Sequence, residues 1–300
     1  MHNPYPRREF LRAAVAAYTA TLAWELTAAD AVDQPSTGHR ARLLPGCCAY
    51  SFGSYLSKGA MTMEEFIVRA TELGVLGVDI TTYWLKSTDP AYLAGLRSFA
   101  YRHGMPFSGL AIGADLCQPE GAKRAETLET VRKWVDATEL LGAGHLRVFG
   151  DKLPPGATPE QGIGWVAETM KGACEYSAKK GIILGLESHS GLTTRAANIV
   201  EILKRVDSPY AGCNLDISNF PENPYEQIEL CLPYATHTHI RDLYGEPKQP
   251  LDLERIWQLF AKSGYNGYMS AEYEGKEDAM TGVPKLIEKI KMLCRKYSNT

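Results

Sequence analysis

At 300 residues, 45% hydrophobic and 22% charged, the chain is expected to be soluble and globular with a large core, which excludes fibrous, collagen-like and wholly disordered classes. Its 32 Lys and Arg against 35 Asp and Glu leave a formal charge of -3, with no broad basic field for a phosphate backbone, so nucleic acid is not an expected partner. The longest apolar run, Ala13 to Trp24, contains two Thr and a Tyr and falls short of the roughly 20 apolar residues of a spanning helix, so no stable membrane insertion is expected.

In chain order the first feature is Pro6-Arg7-Arg8-Glu9-Phe10-Leu11-Arg12, ahead of that apolar run, with Ala29-Asp30-Ala31 behind it as a small-x-small cleavage site. This segment resembles a bacterial twin-arginine export signal, which implies a periplasmic or exported product. The alternative is an amphipathic N-terminal helix on a cytoplasmic protein. The expected division is a signal segment over 1–31, a linker over 32–42 and one catalytic barrel domain over 43–300. Arg7, Arg8 and Arg12 balance Glu9, Glu25 and Asp30, so removal of the signal leaves the charge unchanged. Seven cysteines, Cys47, Cys48, Cys117, Cys174, Cys213, Cys231 and Cys294, form no Cys-x-x-Cys pair and read as small buried hydrophobes.

From Leu43 onward, short apolar runs alternate with longer segments of helical period, the pattern of a parallel sheet wrapped by helices. Strands are expected at 45–49, 76–80, 107–112, 145–149, 182–187, 212–216, 236–240 and 267–272. Helices are expected near 63–73, 89–103, 122–141, 159–180, 194–206, 225–232, 252–263 and 281–297. Eight of each in strict order predict a (β/α)8 barrel of the α/β class. Gly74, Gly104, Gly142, Gly181 and Gly264 stand where helices stop, because glycine takes the left-handed conformation that ends a helix. Doubly wound sheets use the same joints, so the number of units selects the barrel.

A barrel strand opens its C-terminal end onto the active-site face. The last four strands end in Glu187, Asp216, His239 and Glu272. Each alone has another reading: Glu187 beginning a solvated loop, Asp216 capping the turn at Ser218-Asn219, His239 satisfied within the core, Glu272 on the surface. Together at equivalent positions they point to a cation, since converging carboxylates repel one another unless a divalent ion ligates them. Three carboxylates and an imidazole suit one divalent metal ion, Mn, Mg or Co, with Zn as a further candidate.

Leu186-Glu187-Ser188-His189, Leu215-Asp216-Ile217-Ser218-Asn219, His239-Ile240-Arg241-Asp242 and Ser270-Ala271-Glu272-Tyr273 resemble the motifs of the xylose isomerase-like TIM barrels, the sugar isomerases and epimerases that include ketose 3-epimerases and inosose dehydratases. The likeness in arrangement and order extends from about Gly46 to the end of the chain. Gly77-Val78-Asp79 and Leu146-Arg147-Val148-Phe149-Gly150 fit it as well. The resemblance implies that Glu187, Asp216, His239 and Glu272 hold the metal, and that Glu187 and Glu272 are the catalytic pair. They would move a proton next to a carbonyl through an enediolate, on a ketose, inosose or keto-glycoside. Which glutamate is acid and which base stays open. The chain departs from ketose 3-epimerases in three places: it reads Gly191-Leu192-Thr193 where they carry a further glutamate, Asn219 where they carry a substrate histidine, and shows no obvious counterpart of their arginine beyond the strand-seven histidine, although Arg241 lies nearby.

Further substrate-binding candidates are His189, Asn219, Arg241, Trp84, Arg147 and His237. Arg147 alternatively pairs with a barrel carboxylate, and His237 alternatively supports His239 or lines the barrel interior. Tyr50, Phe52, Tyr55, Tyr83, Trp84 and Phe149 lie near the expected mouth, where rings stack on the C-H faces of sugars; Tyr50 and Phe149 are expected to serve ordinary barrel packing instead, and Trp84 is the better substrate candidate. The expected partner is a small carbohydrate, and a homo-oligomer is left open. The alternatives are a lyase or dehydratase using the same metal, an exported carbohydrate-binding barrel without turnover, and, remotely, an apurinic endonuclease.

Overall fold

The computed structural model describes residues 40–298; the expected export-signal segment and nearly all of the expected linker lie outside the described residues. Sixteen elements alternate in order: β1 (Arg42–Cys48), α1 (Met63–Glu72), β2 (Val78–Thr81), α2 (Pro90–Arg102), β3 (Phe107–Asp115), α3 (Ala122–Leu141), β4 (His145–Phe149), α4 (Pro159–Ser177), β5 (Ile183–Glu187), α5 (Ala196–Val206), β6 (Ala211–Asp216), α6 (Pro224–Cys231), β7 (Ala235–Ile240), α7 (Leu253–Ser263), β8 (Asn266–Ala271) and α8 (Ala279–Tyr297).

The strands form one closed parallel barrel in the order β1-β8-β7-β6-β5-β4-β3-β2. Closure falls between first and last strands, with register from Arg42 opposite Asn266 to Cys47 opposite Ala271. That pairing draws β1 out to Arg42, into the expected linker. β3 runs on to Asp115, past the expected end at 112. A short antiparallel ribbon, Leu243–Tyr244 with Gln249–Pro250, stands between β7 and α7 and was not foreseen.

Local chemistry explains where the helices begin and end. Thr62 accepts from the Glu65 N–H at 3.2 Å while the Glu65 carboxylate accepts from the Thr62 N–H at 2.7 Å, and Thr158 and Gln161 build the same reciprocal cap before α4. Asp89, Asp252 and Asp278 cap α2, α7 and α8. The five expected glycines, Gly74, Gly104, Gly142, Gly181 and Gly264, all lie at φ between 65° and 77°, the left-handed region that stops a helix. Between strands and helices the core packs Phe66, Ile67, Leu96, Val135, Met170, Ile199, Trp257, Phe260 and Ile287. No helix among the described residues is long and apolar enough to cross a membrane.

Candidate metal centre and active site

Parallel register gathers the C-terminal ends of β5, β6 and β7: Glu187 pairs with Asn214, Asp216 with His239, and His239 with Ser270 of β8. Glu272 follows β8 by one residue. Hence Glu187, Asp216, His239 and Glu272 all rise at the C-terminal mouth. Each is buried, Glu272 the least so at 8% exposure.

His239 is the hub. Its Nε2 meets Asp79 Oδ2 at 2.6 Å, its Nδ1 lies 2.8 Å from Glu187 Oε1 and 3.3 Å from Glu272 Oε1, and a donor atom each from Glu187, Asp216 and His239 fall within 4.8 Å of one another. Asp79 selects the tautomer with its proton on Nε2, as a carboxylate behind a ligating histidine does. That leaves a lone pair on Nδ1 facing two carboxylate oxygens, which repels unless a proton or a cation lies between them. The donor set therefore fits a divalent ion, with oxygen and imidazole donors in the pattern of Mn, Mg or Co.

Each carboxylate is held from behind. Arg147 Nε lies 3.4 Å from Glu187 Oε2, and its Nη1 donates to the Ile112 carbonyl at 3.0 Å while its guanidinium covers the Phe149 ring at 4.0 Å. Arg147 thus takes the carboxylate-pairing alternative. Asn214 donates to Glu187 Oε1 at 3.0 Å. The Ser218 N–H donates to Asp216 Oδ1 at 2.9 Å, so Asp216 also caps its turn, as the other reading of that residue held. Asn219 donates to Asp216 Oδ2 at 2.8 Å and to the Ser188 carbonyl at 3.0 Å. Arg241 pairs with Asp216 and Glu274, donates to Asn219 Oδ1 at 2.6 Å, and brings Nε to 3.8 Å from Glu272 Oε2.

The two glutamates differ electrostatically. Burial works to raise Glu187, but Arg147 and His239 outweigh it and hold the carboxyl down at about 2. Burial pushes Glu272 up to about 7, with Asp216 adding to the rise against His239 and Arg241. Asp216 is raised, chiefly by burial, against Arg241. Burial favours a neutral His239, but Glu272, Cys48 and Asp79 carry the ring well above the usual imidazole range.

Not every expected substrate contact reaches the mouth. His237 lies one layer deeper in the barrel, 1% exposed, stacked on His145 at 5.0 Å with Nε2 3.1 Å from Ser108 Oγ. It lines the interior, so the substrate-binding expectation for His237 is corrected: two residues back along a tilted strand means one layer down. His189 does reach the mouth. Its Nδ1 meets Asp151 Oδ2 at 2.6 Å, and Asp151 also accepts from Ser190 Oγ at 3.0 Å and Thr193 Oγ1 at 2.9 Å. Gly191, in the stretch where ketose 3-epimerases carry glutamate, sits at φ 51° with space for a Cβ only 2.5 Å from the Asp151 carbonyl, so a side chain there is blocked. Trp84 packs on Tyr50 at 5.8 Å, and with Tyr273, Glu274 and Asp278 the two rings line a cleft of about 500 Å3 on the rim. A larger groove of about 730 Å3, lined by Tyr101, Met105 and Leu140, opens between α2 and α3 beside the start of β3, at the end of the barrel away from these ligands.

Asp79, Asn214 and Asp151 were not singled out as site residues. Asp79 lies within β2. A charged or amide residue inside an otherwise apolar strand, as in Val78-Asp79-Ile80 and Cys213-Asn214-Leu215, is the available cue, because such a group is buried only with a partner.

Residues 67–295 match the family described as the xylose isomerase-like TIM barrel, and the chain belongs to that family. Among individual proteins, it is 25% identical over 241 residues to a fructoselysine 3-epimerase of Shigella flexneri, covering 71% of this chain and 85% of the relative. Its fold is similar to the crystal structure of a D-allulose 3-epimerase from Methylomonas sp., with a TM-score of 0.68 at 19% identity over 85% of this chain and 98% of the other. It is likewise similar to the probable 3-DHS dehydratase of Bacillus anthracis, with a TM-score of 0.65 at 16% identity over 83% of this chain and 98% of the other.

Proposed function

We propose that the protein is a divalent-metal-dependent sugar isomerase or epimerase. The observation that carries this reading is the convergence of Glu187, Asp216 and Glu272 on His239 Nδ1, with Asp79 fixing the other ring nitrogen. An ion held by Glu187, Asp216, His239 and Glu272 would supply Lewis acidity to a sugar carbonyl and a neighbouring hydroxyl. The chain's own groups do the rest. Glu187 is pinned by Arg147, Asn214 and His239, whereas Glu272 meets only the longer contacts of His239, Cys48 and Arg241, at 3.3 to 3.9 Å, and faces the mouth. Glu272 is therefore the freer carboxylate to take a proton from the carbon beside the carbonyl, and Glu187 stands across the centre as its partner. Asp151 holds His189 so that its exposed edge meets a substrate hydroxyl, and the Tyr50–Trp84 wall takes the apolar sugar face. Similarity to the fructoselysine and D-allulose 3-epimerases supports proton transfer as the reaction.

A dehydratase reading stands second. It is favoured by the absence of the epimerases' further glutamate at Gly191-Leu192-Thr193 and by Asn219 in place of their substrate histidine. Incubating the Mn- or Mg-loaded protein in deuterated water with ketoses, inososes and keto-glycosides decides between them. Deuterium entering beside the carbonyl of a recovered sugar is the expected outcome. An unsaturated keto product with new ultraviolet absorbance moves the assignment to the lyase, and neither exchange nor turnover on any substrate overturns both.

A further inference from the structure

β1 ends at the mouth in a thiol. Cys48 is 1% exposed, and its register partner on β2 is Asp79, the residue behind His239. Its Sγ lies 3.9 Å from Glu272 Oε1 and 3.6 Å from Thr81 Oγ1, and donor atoms of Cys48, His239 and Glu272 fall within 4.8 Å of one another. Of the seven cysteines, only Cys48 belongs to a metal-capable group among the described residues. The bond lengths of sulfur and oxygen to a borderline ion, about 2.3 and 2.1 Å, sum to more than the 3.9 Å between Sγ and Oε1, so one ion can touch both.

We propose that Cys48 is a fifth donor of the centre, recruited by thiophilic ions such as Zn, Co and Cd and ignored by Mg and Mn. This rests on the reading that Glu187, Asp216, His239 and Glu272 hold a metal. A thiol that coordinates such an ion loses its proton: the S–H bond breaks, the sulfur–metal bond forms, and one proton leaves to solvent for each ion bound. Hard oxygen-seeking ions gain nothing from sulfur, so with them the thiol stays protonated beside Glu272.

The test is a cobalt titration of the full chain stripped of metal, read by absorbance. The expected result is visible ligand-field bands together with a near-ultraviolet sulfur-to-cobalt charge-transfer band. Cys48→Ser loses the charge-transfer band and keeps the visible bands, while Cys47→Ser keeps both. Ligand-field bands without charge transfer in the unmodified protein overturn the role of Cys48 and leave the metal centre standing; failure to bind cobalt at all overturns both. Should Cys48→Ser fold poorly, X-ray absorption of the zinc-loaded unmodified protein serves instead. A sulfur shell near about 2.3 Å supports the proposal, and a shell of nitrogen and oxygen alone overturns it.

Discussion

The second half of the barrel and the first half contribute differently to the same centre. β5 to β8 each deliver one candidate ligand, Glu187, Asp216, His239 or Glu272, at or just beyond the strand end. β1 to β4 deliver none of these four but supply what stands behind them: Asp79 on His239, Arg147 on Glu187, the Ile112 carbonyl on Arg147, and the Cys48 thiol beside Glu272. The lesson is that a donor set assembled by one half of the barrel is held from both: Arg241 balances Asp216 and Glu272 from within that half, while Arg147 and Asp79 act on Glu187 and His239 from the other. Buried carboxylates without such partners repel one another and take up protons.

Glu272→Gln strikes the donor half where it matters most for chemistry. It keeps the shape and one oxygen but removes the proposed proton carrier, so turnover is expected to fall by about 10²- to 10⁴-fold while the ion is retained, as elemental analysis would show. An unchanged rate would remove Glu272 from the chemistry. Asp79→Asn strikes the supporting half. The amide no longer selects the Nε2 proton as a carboxylate does, and metal affinity drops by about 10- to 100-fold in a chelator competition while the circular dichroism stays that of the barrel. Affinity equal to that of the unmodified protein would mean that the first half is scaffold only.

The smallest effect belongs to the layer beneath both halves. Burial holds His145 neutral, with its ring affinity for protons well below the usual value, and Gly185 leaves room for it: a Cβ there would sit 2.3 Å from His145 Nε2. A histidine whose folded pKa is depressed binds its proton first in the unfolded chain, so stability is lost as pH falls below the unfolded value of about 6.5 and continues to fall until the folded value is reached. Denaturant midpoints compared near about pH 7.5 and about pH 5.5 should show His145→Gln losing less stability than the unmodified protein, by about 1 kcal/mol. Equal losses would mean that His145 plays no part in the acid response.

Much of the fold was legible because its signals are local. A helix stops at Gly74, Gly104, Gly142, Gly181 or Gly264 since one residue must turn left-handed there, and each does so. The four candidate ligands stood out because a carboxylate or an imidazole stands at a strand end four times in succession. Strand limits were less legible where pairing sets them: β1 begins at Arg42 because β8 offers Asn266 to pair with. Thr236-His237-Thr238-His239 shows the limit most clearly. Period two puts both histidines on the inner face, but barrel tilt sets one at the mouth and the other against His145.

Composition, period and glycine placement are properties of short stretches of chain, so the eight alternating units and the acidic and imidazole strand ends could be read before any coordinates. Partnership across the barrel is another kind of property. Asp79 and His239 stand 160 positions apart and Cys48 and Glu272 224 apart, and nothing along the chain says that they touch. Closure of the eight strands, with one shared tilt and one register, brings each such pair together.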